Sequence, residues 1–222
     1  MCIRDRNNGA VVCMVAQASG GAVINLWKNY NFYSKAQSDH YFDWSVDNVY
    51  DCQVSGDGKI LYIVTRTKLY KFVVSDLTSR SNSFVSSALT VSGIMWRVGT
   101  SLDGKYVVVG YQNSLNYPRW KYSSDFGATF SDSAGVLLNS DLRIGGIKIS
   151  NDGSIVAAPT FSTGGPVGYV LTSNDFGRTF STSSVADNSV YNVAISDDGS
   201  RIIGGTLYNG GNSNRIYFLA SD

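Results

Sequence analysis

The side chains able to do chemistry are few, and most are carboxylates. The chain carries one histidine, His40, and its 17 acidic residues are all Asp. Without Glu, acid–base work falls to Asp, to His40 or to Tyr. Glycoside hydrolysis would need two of the Asp residues flanking one bond. Asp47, Asp141 and Asp187 recur 11, 12 and 12 residues ahead of Gly58, Gly153 and Gly199. Such a partial ring could hold a cation or act on a sugar, while Asn48 and Asn188 beside it suit plain turn formation. His40 sits in the aromatic-rich stretch Ser38-Asp39-His40-Tyr41-Phe42-Asp43-Trp44 and reads as a surface-loop histidine before it reads as a base or ligand. Arg66, Arg97, Arg119, Arg143 and Arg201 lie in or beside strand-like runs, where a guanidinium could grip a carboxylate. Arg97 and Arg143 stand 7 and 10 residues ahead of Gly104 and Gly153, so they share no common position.

Nucleophile, phosphate and zinc signatures are absent: no G-x-S-x-G, G-x-x-x-x-G-K-[ST], H-E-x-x-H or C-x-x-C occurs. Cys2, Cys13 and Cys52 are odd in number and spaced for neither a disulfide framework nor a zinc site. Neither a cofactor nor a metal is expected. A formal net charge of +1 speaks against a nucleic-acid partner. No apolar run is long enough to span a bilayer, and Met1 to Arg6 is too charged for a secretory leader.

What must position these groups is a repeat. Asn7-Asn8-Gly9, Gly56-Asp57-Gly58, Leu102-Asp103-Gly104, Asn151-Asp152-Gly153 and Asp197-Asp198-Gly199 each separate two apolar runs. Their final glycines stand 49, 46, 49 and 46 residues apart. A fixed period of that length, built of strands and turns, predicts an all-β chain of four-stranded antiparallel β-propeller blades. The absence of Glu and the abundance of Gly, Ser and Asn fit tight turns rather than helices.

Two repeats share an octet: Ser123-Ser124-Asp125-Phe126-Gly127-Ala128-Thr129-Phe130, and Ser173 to Phe180 fifty residues later. Both fit S-x-D-x-G-x-T-F, with Ser123, Asp125, Gly127, Thr129 and Phe130 matched by Ser173, Asp175, Gly177, Thr179 and Phe180. The octet resembles the Asp-box (BNR-type repeat) of sialidase-like and sortilin-like propellers, a group that shades into YVTN and WD40 repeats. The resemblance implies a structural turn between third and fourth strands, away from any ligand face. It also implies, for a sialidase, an arginine triad and a Tyr activated by Glu, which a chain without Glu cannot supply. Extracytoplasmic location is favoured by the resemblance alone.

The expected organisation is a non-repeat segment 1–6, a partial blade 7–47, blades 48–94, 95–141 and 142–189, and a partial blade 190–222. The inner strand of the fourth repeat is expected over 143–150, and a loop from Phe161. With three, four, four, four and three strands the chain reads as a fragment, about 4.5 blades of a ring of roughly 6–8. Edges left bare would drive association of copies. Loops after the second strands place Tyr111, Asn113 and Tyr117, then Phe161, then Tyr208 and Asn209, on the face that also carries His40 and Trp44. Tyr and Asn there suit adaptable binding. The leading expectation is thus a non-enzymatic binding or scaffolding propeller, presenting one loop face to a protein or glycan. The alternative is a glycoside hydrolase of sialidase or xyloglucanase type with an incomplete site.

Overall fold

The computed structural model of the chain describes residues 11–18, 21–28, 40–44, 48–74, 87–135, 138, 140, 142–162, 168–185, 190–206 and 216–220. No α-helix occurs among the described residues. The segment 1–6, the turn at Gly9, and Asp47, Asp141, Asp187, Tyr208 and Asn209 lie outside them. For His40 and Trp44 only the backbone is described, at the two ends of one strand.

Five antiparallel sheets follow one another along the chain. The first holds β1 (Val11–Ala18), β2 (Gly21–Lys28) and β3 (His40–Trp44). The second holds β4 (Val49–Val54), β5 (Ile60–Thr65), β6 (Lys68–Val73) and β7 (Leu89–Thr90). The third holds β8 (Gly93–Thr100), β9 (Val107–Asn113), β10 (Pro118–Ser123) and β11 (Ser131–Asp132). In the fourth, β12 (Leu142–Ile144) and β13 (Lys148–Ile149) share the inner edge of β14 (Val156–Ser162), followed by β15 (Gly168–Ser173) and β16 (Ser181–Val185). The fifth holds β17 (Val190–Ile195), β18 (Arg201–Thr206) and β19 (Ile216–Ala220). Each sheet is a meander, so strands adjacent in sequence pair in space.

Four sequence expectations shift. His40 to Trp44, expected in a loop, form strand β3, and Tyr111 and Asn113, also expected in a loop, lie in strand β9. The inner strand of the fourth sheet is broken at Gly145–Gly146, where a Cβ on Gly145 would fall 2.5 Å from the Tyr191 carbonyl of the next sheet. Phe161 and Ser162 belong to β14, because β12 pairs with them.

The core lies between sheets. Tyr62, Val64 and Leu69 pack against Met95, Val98, Val107 and Val109 of the third sheet. Val108 and Trp120 pack against Ile144, Ile147 and Ile149 of the fourth. Ala157 and Val170 pack against Val190, Val193 and Ile202 of the fifth. Strands covered on both faces read as unbroken apolar runs, and β5 is buried along its whole length.

One hairpin turn joins the first two strands of the second to fifth sheets. Ser55, Ser101, Ser150 and Ser196 each donate Oγ–H to the Asp two residues on, at 2.6, 2.7, 2.6 and 2.6 Å. The same Oγ accepts the N–H of Ile60, Tyr106, Ile155 and Arg201, each at 3.0 Å. The Gly after each Asp takes φ between 74° and 87°, which a side chain would strain. Successive turns are tied together. Asp57 N–H donates to Leu102 O (2.8 Å), Leu102 N–H to Asn151 O (3.0 Å) and Asn151 N–H to Asp197 O (2.8 Å).

The octets are the second device. Asp125 Oδ1 accepts the N–H of Ala128 and Thr129, and Oδ2 accepts the Thr129 hydroxyl at 2.6 Å. Asp175 repeats the contacts with Thr179. Phe126 and Phe176 take φ of 60° and 66°, uncommon for a bulky side chain. Phe176 stacks on Tyr106 of the preceding sheet, ring centroids 4.4 Å apart, and Phe180 leans on Trp120 at 5.6 Å. Phe180 N–H and Ala134 O, with Ala134 N–H and Arg178 O, complete a parallel bridge between the third and fourth sheets. Replacing Asp175 by Ala would strip partners from Thr179 and Ser173. The expected cost is roughly 1–3 kcal/mol, read as a lower midpoint in urea with an unchanged slope; a midpoint equal to that of the parent protein would contradict it.

Candidate functional site

The inner strands carry a β-bulge at one repeated place. In β4, Val49 pairs with Thr65 and Asp51 with Val64, leaving Tyr50 as the extra residue. In β8, Met95 pairs with Tyr111 and Arg97 with Gly110, leaving Trp96. In β17, Val190 pairs with Thr206 and Asn192 with Gly205, leaving Tyr191. Tyr50, Trp96 and Tyr191 each stand 8 residues ahead of their turn glycine, and in the fourth sheet that place is taken by Gly145. A bulge re-aims the side chain it adds. Here it sets three aromatic rings near the end of the inner strands opposite the Ser-x-Asp-Gly turns.

The rings are held by neighbours rather than left loose. Tyr50 meets Trp96 edge-on, centroids 5.1 Å apart at 81°. Trp96 Nε1–H donates to Gln112 Oε1 at 2.9 Å, and Gln112 Nε2 donates on to Leu142 O at 3.1 Å and Asn116 O at 3.3 Å. The Arg143 guanidinium lies 5.8 Å from the Trp96 ring centroid. Phe161 stacks on Tyr191, 4.2 Å apart at 22°. Tyr50, Trp96, Arg143, Phe161 and Tyr191 all keep part of their surface open.

One residue further, 7 ahead of each turn glycine, stand Asp51, Arg97, Gly146 and Asn192. Asp51 is a stitch between sheets: its carboxylate accepts the N–H of Cys52 at 3.0 Å and of Val98, across the interface, at 3.1 Å. Burial pushes its carboxyl up, over the opposing pull of the Val98 N–H, the Arg97 and Lys148 charges and the Cys52 N–H. Arg97 Nη1 donates to Trp96 O at 2.7 Å, which pins the guanidinium beside the bulge. Among the described residues no group of three His, Cys, Asp or Glu is placed to hold a metal ion. The arrangement offers π faces flanked by guanidinium groups, suited to the apolar face of a sugar ring or to aromatic and acidic side chains.

The sequence-predicted residues fall in different surroundings. Tyr111 is buried in the core between the second and third sheets, its hydroxyl 3.4 Å from Asp132 Oδ1. Asn113 shapes its own loop, accepting the N–H of Leu115 and Tyr117 on Oδ1. Tyr117 is exposed, with the Arg119 guanidinium 5.6 Å from its ring centroid. Phe161 joins the aromatic band through Tyr191. Tyr50, Trp96 and Tyr191 were not singled out; the signal that finds them is an aromatic at a constant offset from the turn glycine.

No protein-family model and no curated protein matches the sequence. Solved structures do. The β-propeller domain of Cps50 (Swd1) from Myceliophteria thermophila superposes with a TM-score of 0.64 at 8% identity, over 99% of this chain and 72% of that one. A complex of KlAtg21 with the coiled coil of AgAtg16 gives 0.62 at 12%, over 95% and 63%. Hydrazine synthase from Kuenenia stuttgartiensis gives 0.61 at 13%, over 90% of this chain and 59% of its own. At these identities the likeness shows the fold: the sheets are blades of a β-propeller. The chain spans about 59% of the hydrazine synthase chain.

Proposed function

We propose that this chain is a binding or scaffolding propeller arc of the Asp-box type, presenting the bulge-bearing end of its inner strands to a protein or glycan partner. The observation that supports the reading is the repeated bulge. Three separate sheets add an aromatic residue at the same place, and Arg143 and Phe161 pack on two of those rings. Hairpins do not need such a bulge, whereas a surface that must stack on a ligand gains a row of rigid aromatic anchors. The octets serve the scaffold: their Asp side chains are engaged in their own turns.

The test uses two probes, a panel of soluble neutral and acidic polysaccharides in affinity gels and an array of immobilised peptides. Binding of the full chain to one class is expected, with Trp96→Ala weakening it at least about tenfold while Tyr117→Ala changes it little. Binding that survives Trp96→Ala unchanged, or no binding to either panel, would overturn the reading.

A further inference from the structure

Three arginines, one from each of three successive sheets, are placed beside Trp96. Arg66 lies in the turn between β5 and β6, and its carbonyl accepts the Met95 N–H at 2.8 Å, one residue ahead of the ring. Arg97 follows the ring, and Arg143 of the fourth sheet lies over it. Arg66 and Arg143 are exposed and Arg97 is half-buried.

Most of their N–H groups are unspent. Arg97 gives one to Trp96 O, and among the described residues the side chains of Arg66 and Arg143 donate to none. The ion pairs among the described residues are Lys59–Asp57 and Lys121–Asp132, and none of the three arginines takes part. A guanidinium is all donor, in a planar fork that meets both oxygens of a carboxylate at once. The described carboxylates are engaged elsewhere. Asp51, close to this cluster, accepts the N–H groups of Cys52 and Val98. Asp132 is held by Lys121. The others lie in the Asp-Gly turns and the octets, at the opposite end of the strands.

The partner that completes this chemistry therefore carries carboxylates. A pyranose stacks on an open ring face, and here Arg143 already lies over Trp96 and Phe161 over Tyr191. Acidic side chains need only the guanidinium edges. Trp and Tyr with Arg rather than Lys is also the composition that protein-binding patches favour.

We propose that Arg66, Arg97 and Arg143, set around Trp96, dock an acidic polypeptide segment of a partner protein, whose Asp or Glu carboxylates the guanidinium forks hold. This assignment rests on the binding role proposed for this end of the strands and names its partner.

The full chain is overlaid on an array of immobilised peptides, each acidic member beside the same peptide with Asn and Gln for Asp and Glu, and is run in affinity gels with polygalacturonate. Binding to acidic peptides and not to their amide counterparts is expected. For the tightest of them, fluorescence anisotropy should show Arg97→Gln and Arg143→Gln each weakening binding at least about tenfold, and added salt weakening it further. Arg178→Gln removes the same charge at the turn end of the fourth sheet, where its guanidinium lies 5.9 Å from the Phe176 ring centroid, and should leave binding unchanged. Matched melting profiles separate a lost contact from a lost fold. Equal binding of the amide counterparts, tighter binding of polygalacturonate than of any acidic peptide, or binding indifferent to Arg97 and Arg143 would overturn this assignment and leave the broader binding role standing. Binding to no peptide and no polysaccharide would overturn both.

Discussion

Replacing Gly93 by Ala is expected to lower stability by about 3 kcal/mol or more, the largest effect of a single methyl group added at any of the described glycines. Gly93 opens β8 with φ of 152°, at the positive-φ edge that side chains avoid. Its added Cβ would fall 1.8 Å from the Gln112 carbonyl oxygen and 3.0 Å from the Asn113 Cα. Both obstacles are backbone of the paired strand β9, so no rotamer change relieves them. The strands must part at that end or the register must give. The damage would spread to the candidate site, because Gln112 also receives the Trp96 indole N–H and donates to Leu142 O. Calorimetry should show a melting temperature lower by roughly 6–12 °C, together with a red-shifted Trp emission. Gly205→Ala is the control, since its Cβ meets open space and its φ is not positive. Equal melting of the two variants would refute the steric argument.

The second large effect is acid lability. Five Asp carboxyls in the turns sit below the ordinary carboxylate range. Asp125 is lowered to about 2, first by the Thr129 hydroxyl, then by the Thr129 N–H and Ser123. Asp198 is lowered to about 2 by the Ser196 hydroxyl, the Ser200 N–H and the Ser200 hydroxyl. At Asp57, Asp152 and Asp175 partial burial pushes upward, and the turn hydrogen bonds together outweigh it. A folded-state value below the unfolded one means that the unfolded chain takes up protons first, so stability is lost on acidification. The contribution of these groups is complete above the unfolded value of about 4 and disappears as pH falls through their lowered folded values, about 2 for Asp125 and Asp198. Asp51 acts in the opposite sense: burial raises its carboxyl, so protonation relieves a cost instead of adding one. With five groups against one, the melting temperature should hold level from neutral pH to about 4.5 and drop steeply below it. Thermal scans in matched ionic strength measure this. A melting temperature that stays flat or rises between pH 4 and 2.5 would contradict it. The double variant Asp125→Asn/Asp175→Asn should start lower and fall less.

Much of the architecture is legible in the residues because its causes are local. An Asp-Gly turn closes with local bonds, and the six residues Ser150 to Ile155 contain both partners of each side-chain hydrogen bond that shapes it. Alternation along β17 and the unbroken apolar run of β5 then say which segments are strands and how deeply they lie. The break at Gly145–Gly146 could not be read that way. It exists because the Tyr191 backbone of another sheet passes within contact distance.

From the chain alone come the period, the two turn devices and the antiparallel order of strands, since each rests on hydrogen bonds or side-chain alternation between near neighbours. Tertiary structure decided which aromatic residues face outward. Tyr111 looks like a loop residue and is buried by a neighbouring sheet, while Tyr50, Trp96 and Tyr191 sit at bulges and keep part of their surface open. A strand has two faces and the sequence alternates between them. Which face is covered depends on the sheet that packs next to it, and a single inserted residue exchanges the two.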